Sequence, residues 1–88
     1  MPDTAQQIAV CVRLFASYRE AAGAARIDTH LPAGARVRDL LDALAERVPA
    51  LRSAPGLIAV NQTYVGPDFA LHERDEVALI PPVSGGAR

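Results

Sequence analysis

Apolar and polar residues alternate from Ile8 to Phe15. Ile8, Val10, Val12 and Leu14 fall on one face and Ala9, Cys11, Arg13 and Phe15 on the other. That period of two predicts a strand. Ser17-Tyr18-Arg19-Glu20 has the spacing of a capping box, with Ser17 accepting from the Glu20 amide and Glu20 reaching back. Gly23 supplies a stop, so only one or two helical turns are expected. Alternation resumes over Arg26 to Leu31, a second strand with Ile27, Thr29 and Leu31 on one side, closed by Pro32 and the Ala33-Gly34 turn.

The period then changes. Val37, Leu40, Leu41, Leu44 and Val48 fall at i, i+3, i+4, i+7 and i+11, the stripe of an amphipathic helix. Arg38, Asp39, Asp42, Glu46 and Arg47 lie largely on the opposite side, and Pro49 marks the end. Leu57 to Val60 is apolar at consecutive positions, the pattern of a strand covered on both faces. Asn61-Gln62 suits a turn, and Tyr64-Val65 begins a short return segment. A loop with Phe69 and Leu71 follows Gly66-Pro67. Glu73-Arg74-Asp75-Glu76 reads as a solvated charged turn before a last strand, Val77 to Ile80. A two-stranded hairpin cannot bury its face unaided, and the Val37–Val48 helix is the only element large enough to cover it. The expected class is α+β, a mixed sheet with one main helix across it.

Composition narrows the chemistry. Eighty-eight residues allow one domain, since domains commonly run to roughly 100–150 residues. A net charge of −1, with nine arginines scattered from Arg13 to Arg88 and no lysine, gives no concentrated basic surface for nucleic acid. The lone cysteine, Cys11, precludes an internal disulfide or a cysteine metal cluster. Mid-strand, it reads as a small hydrophobe with a raised pKa rather than a nucleophile. His30 and His72 stand apart from any second ligand. The first seven residues are polar and lack the positive start of a signal peptide. No stretch reaches the ~18 apolar residues of a membrane span. A cytoplasmic protein is expected, with neither nucleic acid nor membrane as partner and no bound metal or cofactor.

The C-terminal segment Pro81-Pro82-Val83-Ser84-Gly85-Gly86 is different. The two prolines remove backbone donors and stop the last strand's ladder, directing the chain away from the sheet. Gly85 and Gly86 carry no Cβ and suit a channel too narrow for side chains. A terminus that merely happens to contain glycines is the plainer alternative.

Three segments carry a resemblance. Leu14-Phe15-Ala16-Ser17-Tyr18-Arg19-Glu20-Ala21-Ala22-Gly23 resembles the F-A-x-x-R-E-x-x-G segment of the molybdopterin synthase small-subunit (MoaD) family. Val60-Asn61-Gln62 resembles its V-N-Q turn. Asp75 to Gly86 resembles its ending, D-E-V-A, two hydrophobic residues, then P-P-V-S-G-G. The likeness covers Val10 to Gly86, and the ending favours MoaD over the thiamine-pathway carrier ThiS.

The resemblance implies a ubiquitin-like β-grasp domain over residues 1–80 and a flexible tail over 81–88. It implies sulfur carriage, with Gly86 adenylated by an E1-like enzyme (MoeB) that uses ATP and then thiocarboxylated by a sulfur donor, Gly85 beside it. The tail would enter a large subunit (MoaE) and give its sulfur to a pterin precursor in molybdenum cofactor biosynthesis. The chain itself would be the sulfur-donating part of a sulfurtransferase, without a pocket of its own. Phe15, Tyr64 and Ile80 match the family's apolar partner contacts, and Pro81, Pro82, Val83 and Ser84 lead from them to the glycines.

The family usually ends at the second glycine, whereas here Ala87-Arg88 follows. While they remain, Gly86 has no carboxylate. Related carriers with such extensions are trimmed by JAMM-type peptidases and serve cysteine, homocysteine, secondary-metabolite or tRNA thiolation pathways. That alternative stays open, as does a non-catalytic β-grasp interaction module.

Overall fold

The period-two segments form strands and the period-3.6 segment a helix, in the order β1 (Gln7–Leu14), α1 (Ala16–Ala22), β2 (Arg26–Pro32), α2 (Val37–Arg47), β3 (Leu57–Val60), β4 (Thr63–Tyr64) and β5 (Glu76–Ile80). A 3₁₀ turn at Pro49–Leu51 follows α2. The structure is a computed structural model that describes residues 6–51 and 56–81.

The five strands make one mixed sheet in the order β2-β1-β5-β3-β4. β1 and β5 run parallel at its centre, with Val12 opposite Val77 and Leu14 opposite Leu79. β2 pairs antiparallel with β1, and β3 antiparallel with β5 and β4. This is the β-grasp arrangement, in which α2 crosses one face. The core joins Val10, Val12, Leu14, Val77 and Leu79 of the sheet to Val37, Leu40 and Leu44 of α2. Ala45 is buried beside that stripe, whereas Leu41 is only partly covered.

Several expectations need correction. The Ser17–Glu20 capping box does not form. Phe15 is the N-cap of α1 in extended conformation, so Ser17 already lies inside the first turn. Ala16, at φ 51°, makes the sharp corner from strand to helix. A reach-back of the same kind does form on α2, where Asp39 Oδ2 accepts the Arg36 N–H at 2.8 Å. Gly23 ends α1 as expected, at φ 73° with its N–H donating to Arg19 O.

β3 is not covered on both faces. Leu57 is 52% exposed, because the helices occupy one side of the sheet only. Nor is the charged turn before β5 merely solvated. Asp75 is buried, and its carboxylate accepts from Asn61 Nδ2 at 2.9 Å and from the His72 amide at 2.8 Å. Asn61 Oδ1 accepts the Glu76 amide at 3.0 Å, and Asn61 N donates to Glu76 O. Asn61 and Gln62 both take positive φ, the geometry of a tight primed hairpin turn. The V-N-Q and D-E segments thus form one network joining the β3–β4 turn to the start of β5. Asp75→Ala strands the Asn61 and His72 donors. It is expected to cost about 1–3 kcal/mol in a urea-unfolding measurement, the range for losing hydrogen bonds to a buried charged group whose donors can turn to water.

Candidate functional site

The residues of interest lie on the sheet face that no helix covers. Alternation along β1 sends Ile8, Val10, Val12 and Leu14 into the core and leaves Ala9, Cys11 and Arg13 on this open face. Phe15 continues β1: its N–H donates to Leu79 O at 3.3 Å, which brings it level with Ile80. Ile80 pairs with Leu57 on β3. Phe15, Ile80 and Leu57 therefore form one cross-strand row. A second row runs Arg13, Ala78, Ala59 and Tyr64 across β1, β5, β3 and β4.

The result is a shallow apolar area with small residues at its centre and large ones around it. Phe15 is 41% exposed and Tyr64 69%. A cluster of large exposed apolar side chains is uncommon on a small domain without a partner. Arg13 forms its border, paired with Glu76 Oε2 at 3.2 Å and with its guanidinium carbon 5.9 Å from the Phe15 ring centroid. The Arg13–Glu76 pair is solvent-exposed and contributes little to stability, so the value of this arrangement lies in placing the ring.

The other half of the open face is polar. Cys11 faces Asp28 across β1 and β2, next to Arg26 and near Glu76. Partial burial pushes the Cys11 thiol up, with Asp28 and Glu76 adding to the rise and Arg26 opposing it. A thiol held protonated is a poor nucleophile, in keeping with its reading from sequence. Arg26 is paired with Asp28 at 3.1 Å, an interaction that raises its pKa further. Exposed His30 lies opposite Ala9, and His72 Nδ1 sits 4.0 Å from Asp75 Oδ2 on the far loop. Among the described residues no three His, Cys, Asp or Glu side chains group as metal ligands.

Of the residues singled out from sequence, the fold brings Phe15, Tyr64 and Ile80 onto one face, with Pro81 leaving from its edge. Pro82, Val83, Ser84, Gly85 and Gly86 lie outside the described residues. Sequence reasoning missed Leu57, Ala59 and Ala78. Their signal was the strand register, which places Leu57 beside Ile80 and the two alanines between Arg13 and Tyr64. Phe69, also exposed, is not in these rows; it sits in the loop whose carbonyl accepts the Val37 amide at the start of α2.

The family model described as the ThiS family matches residues 12–86, nearly the whole chain. The chain belongs to the ThiS family. Within this family its relatives point to one branch. It is 44% identical to the molybdopterin synthase sulfur carrier subunit of Chlamydomonas reinhardtii, over 85% of this chain and 95% of that protein. It is 33% identical to the subunit of the same name from Arabidopsis thaliana, over 96% of this chain and 90% of that protein. Among solved structures, small archaeal modifier protein 1 of Haloferax volcanii superposes with a TM-score of 0.79 at 30% identity. That match covers 86% of this chain and 99% of the other. Among the described residues no helix is long and apolar enough to cross a membrane.

Proposed function

We propose that this ThiS-family chain is the sulfur-carrier subunit of a molybdopterin synthase, acting in the cytoplasm in molybdenum cofactor biosynthesis. The observation that carries the reading is the placement of the apolar rows beside Pro81, from which the sequence runs on to Gly85-Gly86. The open face docks a partner, and the arm delivers a terminal atom into the partner's pocket. Five residues lie between Pro81 and the end of Gly86, so the arm spans at most about 17 Å when extended. This is long enough to bring its end into a cleft while Phe15, Tyr64 and Ile80 remain on the partner's surface.

The chemistry follows from the acyl terminus. A Gly86 carboxylate oxygen attacks the α-phosphorus of ATP on an E1-like MoeB-type enzyme, and pyrophosphate leaves. A sulfur donor then displaces AMP to give the thiocarboxylate. That sulfur is a soft nucleophile, and the large subunit, of the MoaE type, supplies the pocket in which it attacks the pterin precursor. The carrier contributes position rather than acid–base groups. Residues beyond Gly86 must be removed first, a task suited to a JAMM-type peptidase.

The test is a mass spectrum of protein ending at Gly86 after incubation with an active MoeB-type enzyme, ATP and a sulfur source. The expected result is the gain in mass of one oxygen replaced by one sulfur. An unchanged mass with an enzyme that thiocarboxylates its own carrier would overturn the reading. A carrier for another thiolation pathway would show the same gain but would bind a different large partner on the Phe15–Tyr64 face.

A further inference from the structure

The second cross-strand row of the open face is uneven. Arg13 lies opposite Ala78, Ala78 opposite Ala59, and Ala59 opposite Tyr64, so two methyl groups separate two long side chains. This step in size leaves a hollow over β5. It has a volume of about 220 Å³ and is lined by Arg13, Phe15, Gln62, Glu76 and Ala78. Ala78, on the strand between β1 and β3, is its floor. Arg13 and Phe15 of β1 stand on one side, and Gln62 of the β3–β4 turn stands on the other.

The lining selects among occupants. The wall on the β1 side is an aromatic ring beside a delocalised cation, with the Arg13 guanidinium carbon 5.9 Å from the Phe15 centroid. Glu76 Oε2 holds that guanidinium at 3.2 Å. A flat π system suits this wall, since it can stack offset on Phe15 and turn its electron-rich face to the guanidinium. A lone charge does not, because Arg13 and Glu76 already neutralise each other. An aliphatic side chain would fill the volume but gain nothing from the cation. Across the hollow, the Gln62 amide offers both a donor and an acceptor. Phe15 also belongs to the row with Ile80 and Leu57, so the hollow is continuous with the proposed docking face.

We propose that the hollow over Ala78 receives one aromatic side chain with a polar tip, tyrosine or tryptophan, from the protein that docks on the open face. The ring lies against Phe15 and Arg13, and the tip reaches Gln62. Aromatic anchors seated in such pockets commonly dominate the energy of an interface. The inference rests on the sulfur-carrier reading for the identity of the docking protein, the large subunit, but not for the hollow itself.

The first test needs no partner. The full chain is titrated with indole and with p-cresol, the side-chain analogues of tryptophan and tyrosine, and followed by ¹H–¹⁵N NMR. Saturable shifts are expected at the Arg13, Phe15, Gln62 and Ala78 amides, with a weaker response to 4-methylcyclohexanol, which has the same size without the π system. Ala78→Leu fills the hollow and leaves the core alone, because its neighbours Val77 and Leu79 are the buried residues of β5. It is expected to abolish the shifts. Arg13→Leu keeps the hollow and removes the cation, so the preference for the aromatic probes should disappear. No saturable shifts in wild type, shifts that persist in Ala78→Leu, or an equal response to the aliphatic probe would each overturn the proposal. The second test is calorimetry of protein ending at Gly86 with the large subunit of a molybdopterin synthase. Ala78→Leu is expected to raise Kd about 30- to 100-fold with Tm close to wild type, the loss of one anchor. Wild-type affinity in that variant would remove the anchor from the interface. If wild-type protein does not bind the large subunit, the sulfur-carrier reading fails, and the probe titration still decides what the hollow accepts.

Discussion

Protein that carries any residue after Gly86 is expected to acquire no sulfur, whereas the same protein ended at Gly86 is expected to be converted. The physical reason is electronic. A carboxylate presents a charged oxygen that attacks the α-phosphorus of ATP, while an amide carbonyl between Gly86 and Ala87 is neutral and delocalised over its C–N bond. No rearrangement of the domain alters that, so the difference is all-or-none. Intact-mass measurement after incubation with a MoeB-type enzyme, ATP and a sulfur source reads it directly. Addition of a JAMM-type peptidase to the longer protein should restore conversion. Sulfur on a protein whose mass still includes Ala87-Arg88 would show that the attachment point is not Gly86.

The second large effect belongs to Phe15. Phe15→Asp places a charge in the row with Ile80 and Leu57, the face proposed to dock the large subunit. The loss of a central aromatic contact commonly reaches about 2–4 kcal/mol, equivalent to roughly 30- to 1000-fold in Kd. Folding should survive, because Phe15 is the N-cap of α1 in extended conformation and aspartate is among the preferred residues there. Calorimetric titration with the large subunit should therefore show the affinity loss while the circular dichroism spectrum and Tm remain close to wild type. Wild-type affinity in the folded variant would remove the open face from the docking interface.

Local covalent and periodic features are properties of the chain itself. The prolines at 81 and 82, the paired glycines, the period of two from Ile8 and the helical stripe from Val37 are readable because each depends on neighbours within a few residues. They gave the element order and the helix-covered face. The same locality explains the errors. Leu57 to Val60 is apolar throughout, and nothing within the segment says that only one side of the sheet is covered. Ser17 and Glu20 have capping spacing, but the corner at Ala16 starts the helix two residues earlier than that spacing requires.

What belongs to tertiary structure is everything carried by register. Phe15, Leu57, Tyr64 and Ile80 are spread over most of the sequence and become neighbours only because β5 inserts between β1 and β3. Asp75 reads as one more surface acid until Asn61, fourteen residues earlier, is found to satisfy it. Ala78 has no sequence signal linking it to Arg13 or Gln62; the hollow they share follows from the place of β5 between β1 and β3. The sequence by itself determined the chemistry of the arm, because that chemistry resides in covalent groups. Only the folded sheet decided which residues share the open face beside Pro81, because pairing across strands is set by contacts between residues far apart in the chain.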